Sequence, residues 1–123
     1  VEELLATDDI DLNWRDTSGR TPLYWAVWNG HETAVRLLLA TGRVEVNARD
    51  YNQRTPLSHA AQRGQLAIVQ LFLKNGAEIE LRSDTDRTPL SYAAENGYKA
   101  TVQLLLENGA EIESKSNIDR TPL

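Results

Sequence analysis

The sequence contains neither cysteine nor methionine. Without cysteine there is no disulfide, no zinc–thiolate site and no cysteine nucleophile, and the redox compartment is left open. Without methionine, Val1 does not read as a natural start, and the chain is expected to be a mature or excised piece; the partial units at its two ends, described below, lead to the expectation that the protein continues past residue 123 and before residue 1. Positive charge is scarce: 13 basic residues face 18 acidic ones, a net charge of -5, so no global basic field for wrapping nucleic acid is expected. Long apolar runs are missing too. Val35 to Ala40, among the longest, is interrupted by Arg36 and falls well short of the roughly 18 residues a membrane helix requires. Nothing at the N-terminus has the basic-then-apolar layout of a signal peptide.

Residues that carry chemistry are equally sparse. The two histidines, His31 and His59, are too few for a metal site and have no obvious nucleophile to serve, so they read as a helix-start residue and a packing residue. The carboxylates fall mostly in turns (Asp16, Asp50, Asp84, Asp86) and in loops after helices (Glu78, Glu80, Glu111, Glu113), where solvated or capping roles are the ordinary ones. No glycine cluster has the spacing of a phosphate-binding loop. No catalytic residue, no metal ligand and no cofactor is therefore expected.

What the chain does have is a repeat. Arg-Thr-Pro-Leu occurs at residues 20–23, 54–57, 87–90 and 120–123, at offsets of 34, 33 and 33 residues. The similarity runs well beyond four letters: TPLYWAVWNGHETAVRLLLATG, TPLSHAAQRGQLAIVQLFLKNG and TPLSYAAENGYKATVQLLLENG follow one another. Thr21, Thr55 and Thr88 are good helix N-caps, and the proline after each suits the first helical position, where its missing N–H costs nothing. Leu23, Ala26 and Val27 then have helical spacing, and Gly30, Gly64 and Gly97 stop that first short helix. A second helix carries Val35, Leu38 and Leu39, then Val69, Phe72 and Leu73, then Val102, Leu105 and Leu106, with Gly76 and Gly109 ending it in the later periods. Helices of eight to ten residues are marginal alone, since isolated helices below about 12–15 residues are barely stable in water. Neighbouring units must stack into a continuous core. The small residues Ala26, Ala60, Ala61, Ala93 and Ala94 lie where helices would have to approach closely.

The pattern TPLxxAAxxGxxxxVxLLLxxGAxI, preceded by a polar turn, resembles the ankyrin repeat over essentially the whole chain, and its phrasing is similar to the long arrays of filamentous-fungal proteins. The resemblance implies an all-α solenoid of stacked helix-turn-helix units with projecting β-turn loops. Residues 1–123 would form one domain: a partial repeat at 1–19, repeats at 20–53, 54–86 and 87–119, and the start of another at 120–123. Glu3 stands where later units have leucine and gives the N-terminal end a faint cap-like character. Two features depart from the family pattern. The histidine that usually follows Thr-Pro-Leu is Tyr24, Ser58 or Ser91, and the turn glycine survives only as Gly19, with Gln53, Asp86 and Asp119 elsewhere. Both departures are expected to weaken local hydrogen bonding or turn geometry while leaving the fold intact.

The resemblance further implies a non-catalytic module, most plainly intracellular, that binds a protein or peptide as part of a larger scaffold, adaptor or sensor. In the family, partners usually dock on the concave side built from turn tips and first helices. Carried onto this sequence, those positions give Arg15, Thr17, Ser18, Arg20, Trp28 and Asn29; then Arg49, Tyr51, Asn52, Arg54, Gln62 and Arg63; then Arg82, Asp84, Thr85, Arg87, Glu95 and Asn96, with Lys115, Asn117, Ile118 and Arg120 at the end. Arg15, Arg49, Arg82 and Lys115 recur at one register and Arg20, Arg54, Arg87 and Arg120 at another, together 8 of the 13 basic residues. These columns either receive an acidic patch on the partner, for which the guanidinium fork is suited, or pair with turn aspartates such as Asp16, Asp50 and Asp84. Trp28 replaces the polar Gln62 and Glu95 of later units and is either an anchor for the partner or packing for the missing neighbouring unit or for Tyr24. Trp25 and Trp14 read as packing residues. Asn13 and Asn47 occupy loop registers where ankyrin asparagines can be hydroxylated, although the ordinary loop role is the commoner one. No membrane or nucleic-acid partner is expected. The chain reads as a monomer whose uncapped ends leave end-to-end association open. Two other readings remain beside recognition: a passive spacer in a long array, or a regulatory segment of an enzyme whose chemistry lies elsewhere.

Overall fold

A computed structural model describes residues 12–111 of the chain. Six helices occur among the described residues, and they contain no strand: α1 (Pro22–Trp28), α2 (Glu32–Ala40), α3 (Pro56–Gln62), α4 (Leu66–Lys74), α5 (Pro89–Glu95) and α6 (Lys99–Glu107). The odd-numbered helices are seven residues long, slightly shorter than the sequence pattern suggests, and the even-numbered ones nine.

Each odd helix starts for the reason its sequence gives. Thr21, Thr55 and Thr88 sit in extended conformation, and their hydroxyls accept from the backbone N–H three residues on, at 3.2 Å in each case. At Thr55 and Thr88 the contact is reciprocal: Ser58 and Ser91 accept from the cap's own N–H at 3.1 and 2.9 Å. Where the family histidine is replaced by serine, local hydrogen bonding is therefore kept by a capping box rather than weakened. Turn geometry is kept as well, since Gln53 and Asp86 adopt φ of 61° and 66° in place of glycine. Gly30, Gly64 and Gly97 end the odd helices at φ of 68°, 67° and 76°. The chain then turns at once into the even helix, with His31, Gln65 or Tyr98 in the N-cap position.

The helices form two layers. Each odd helix packs on the next odd helix and on its own even partner, and each even helix packs on the next even one. The core between the layers is continuous, running from Leu23, Val27 and Val35 through Leu57, Val69 and Phe72 to Leu90, Ala93 and Leu105. Ala60, Ala61 and Ala93 are fully buried where the odd helices meet, as the pattern requires. Ala94 is exposed, and so is Leu106, because among the described residues no further helix pair covers that end of the stack. Glu3, Asn117, Ile118, Asp119 and the C-terminal column members Lys115 and Arg120, singled out from the sequence, lie outside the described residues.

Candidate protein-binding surface

The turns before α1, α3 and α5 share one construction. Asp16, Asp50 and Ser83 each accept, through one side-chain oxygen, from the backbone N–H groups two and four residues on. This is the way a short polar side chain folds the backbone over itself. The Asp16 carboxyl is held below the usual range by the N–H of Arg20 first, then by that of Ser18 and by the Trp25 indole N–H, which reaches Oδ2 at 3.0 Å. Successive turns join edge to edge: the Tyr51 N–H donates to the Ser18 carbonyl at 3.1 Å, and the Asp84 N–H to that of Asn52 at 2.9 Å.

The two arginine columns behave differently. Arg15 donates to its own turn at the Gly19 carbonyl (3.0 Å) and to the next unit at the Arg49 carbonyl (2.6 Å), and it pairs with Glu45 at 3.3 Å. Arg49 reaches the Arg82 carbonyl at 3.4 Å and Gln53 at 3.3 Å, and Arg82 stands 3.8 Å from Asp86. This column laces neighbouring loops together. Arg20, Arg54 and Arg87 instead lie beside the first helices. Arg20 sits 4.7 Å from the Tyr24 ring centre and 3.8 Å from the Asp50 carboxylate of the next turn. Arg54 stacks 4.6 Å from the Tyr92 ring and donates to Gln62, while Arg87 pairs with Glu95. Asp84 is exposed at a turn tip; the acid facing Arg20 is Asp50.

Aromatic residues crowd the first helix. Trp28 is 42% exposed and stacks parallel to Tyr24 at 6.0 Å, with the Arg63 guanidinium 4.8 Å from its ring. Trp25 is 36% exposed, which corrects its reading as a core residue, and Trp14, 58% exposed, corrects likewise. The register of Trp25 is filled by buried His59 and Tyr92 in later units. Those two are covered by the preceding first helix, and no described helix precedes α1. Tyr51 is 66% exposed at its turn tip, its ring lying over Gly19. Asn29 and Asn96 turn their amides back onto the carbonyls of Trp25 and Tyr92, and Asn96 also bridges to the Gln62 carbonyl of the preceding unit.

Beneath this layer lies a polar pair that sequence reasoning did not assemble. His59, 2% exposed, meets the Tyr24 ring edge-on at 4.5 Å and places Nε2 3.6 Å from Asp50 Oδ2. Burial first, and then the Arg54 guanidinium, pull His59 down to about 4, with Asp50 opposing them. Burial pushes the Tyr24 phenol up. Tyr24 was the signal available: a large ring stands where the other units carry a small serine.

Asn13 and Asn47 fulfil the ordinary loop role. Their side chains accept from the backbone N–H of Glu45 and Glu78, each at 2.8 Å, and Glu80 does the same for Glu111 at 2.7 Å. Among the described residues no cluster of three or more metal-ligating side chains could hold an ion, and no helix is long and apolar enough to cross a membrane. No curated protein matches the chain. The family model described as ankyrin repeats (3 copies) matches residues 1–50 and 43–116. With helix pairs, turns and loop bonds recurring at the same period, the chain belongs to the ankyrin-repeat family.

Proposed function

We propose that this chain is a recognition module within a larger scaffold, adaptor or sensor, and that it holds a protein or peptide partner on its concave face. Ankyrin repeats are in general protein–protein interaction modules and are typically non-catalytic. The observation that carries the reading is the exposure of Trp28 beside Arg63, with the exposed Trp25 ring 6.4 Å from Trp28 and Tyr51 exposed at a turn tip. An exposed tryptophan stacked with an arginine unites the two residue types in which interface energy concentrates. Among the proposed contacts, Trp28, Tyr51, Arg63 and Glu95 are exposed and Gln62 is half-buried. Arg15, Arg49 and Arg82 contribute by holding the loops in register.

The test is capture of partners from a lysate of the source organism by the wild-type chain and by a Trp28→Ala/Arg63→Glu variant of unchanged helicity. Capture of a defined protein by the wild type, reduced about tenfold or more in the variant, is the expected result; a tenfold loss corresponds to about 1.4 kcal/mol. Equal capture by both chains removes the site from this face, and no specific capture by either favours a spacer role.

A further inference from the structure

Of the arginines near Tyr24 and Trp28, Arg20 faces an acid, whereas Arg54 and Arg63 do not. The Tyr24 ring is 3% exposed, yet its hydroxyl has no hydrogen-bond partner among the described residues. The Arg20 guanidinium lies 4.7 Å from the Tyr24 ring centre and faces the Asp50 carboxylate at 3.8 Å. Asp50 is already engaged: Oδ1 accepts from the N–H groups of Asn52 and Arg54, and Oδ2 faces Arg20 and His59. Arg54 has only the neutral Gln62 amide as side-chain acceptor. No described carboxylate lies within ion-pair distance of Arg63, which rests on the Trp28 ring.

The third unit supplies its own acid, although its tyrosine, Tyr92, stands at the register of Trp25 rather than that of Tyr24. There Arg87 approaches the Tyr92 ring at 5.7 Å and pairs with Glu95, and the Tyr92 hydroxyl is satisfied by Ser83 Oγ at 3.1 Å. Glu95 stands at the register of Gln62 and Trp28. The carboxylate that the third unit carries within itself is therefore missing from the first two.

We propose that Arg63, together with Arg54 and beside the exposed Trp28, receives one carboxylate side chain of an extended acidic peptide whose neighbouring apolar residue lies on Trp28 and Trp25. This deepens the concave-face reading and rests on it. Charge complementarity selects the occupant. Two guanidiniums without an acid of their own supply charge-assisted donors, roughly twice as strong as neutral ones. A cationic side chain is disfavoured twice over, because the Tyr24 and Trp28 rings that would attract it already carry Arg20 and Arg63.

The experiment is selection of a displayed random dodecapeptide library on the folded chain, with each enriched peptide remade with glutamine or asparagine in place of its acids. Binding is then compared on wild type, Arg63→Gln, Arg54→Gln/Arg63→Gln and Trp28→Ala, all checked for helicity. Arg63 is exposed, so the single variant stays informative if the double one is unstable. The expected result is enrichment of Asp or Glu next to an apolar residue, with about tenfold weaker binding on losing either the peptide's acid or Arg63. Peptides that need Trp28 but bind equally well without an acid, or equally well to Arg63→Gln, overturn the carboxylate site and leave the concave-face reading standing. Peptides indifferent to every variant, or no enrichment at all, overturn both.

Discussion

His59 is the residue most sensitive to its surroundings. It is buried between α1 and the turn at Asp50, and its folded pKa is depressed from 6.5 to about 4. The unfolded chain thus takes up a proton that the folded one refuses. The stability tied to a neutral His59 is complete above about pH 6.5 and declines as the pH falls from there toward 4. Asp16, whose pKa is depressed below 3.8, loses its contribution only at lower pH, so it does not confuse this window. The urea midpoint is expected to drop between pH 7.5 and pH 5, and to drop markedly less in His59→Gln; equal slopes in both chains would show that His59 is not the group responsible. At this scale the sequence was legible in part. The repeat register correctly put His59 in the packing set, but it could not bring Asp50 to it, because their approach depends on how the turn folds over the helix that follows. The same register misled at Trp25, since it fixes a position along the helix and says nothing of whether a neighbour covers it.

The helices themselves were nearly all legible, because caps and stops are written in local residues: Thr-Pro at each start, glycine at each odd-helix end. What the sequence did not reveal is that glycines of identical role meet different surroundings. Gly64 and Gly97 both adopt left-handed φ, at 67° and 76°, but a β-carbon on Gly64 would stand 2.6 Å from the Tyr98 ring, whereas nothing lies within 4 Å of one on Gly97. Gly97→Ala is expected to cost about 1–2 kcal/mol from backbone conformation alone. Gly64→Ala is expected to cost more, because the ring that begins α6 must also move. Chemical denaturation of the two variants side by side measures the difference, and equal losses would mean that Tyr98 shifts without penalty.

For the whole molecule, the 33-residue period made the stack legible before any coordinate was known, since short amphipathic helices have nowhere to bury their apolar faces except against the next unit. Phe72, fully buried in the middle pair, touches the core that both flanking pairs share. Phe72→Ala is expected to lower unfolding free energy by about 3–5 kcal/mol, a large part of what a domain of this size has. Circular dichroism during urea titration reads this, and a loss under 1 kcal/mol would mean that the stack closes around the gap. The lacing of loop to next loop, by Arg15 to Arg49, Asn47 to Glu78 and Glu80 to Glu111, has a mechanical side. Every such tie joins immediate neighbours, so a pull on the two ends is borne by the junctions in series, and the weakest yields first. Each unit that lets go releases about 33 residues, on the order of 110 Å of chain, while the units still stacked keep their own ties, so the molecule behaves under tension as a spring that lengthens in steps.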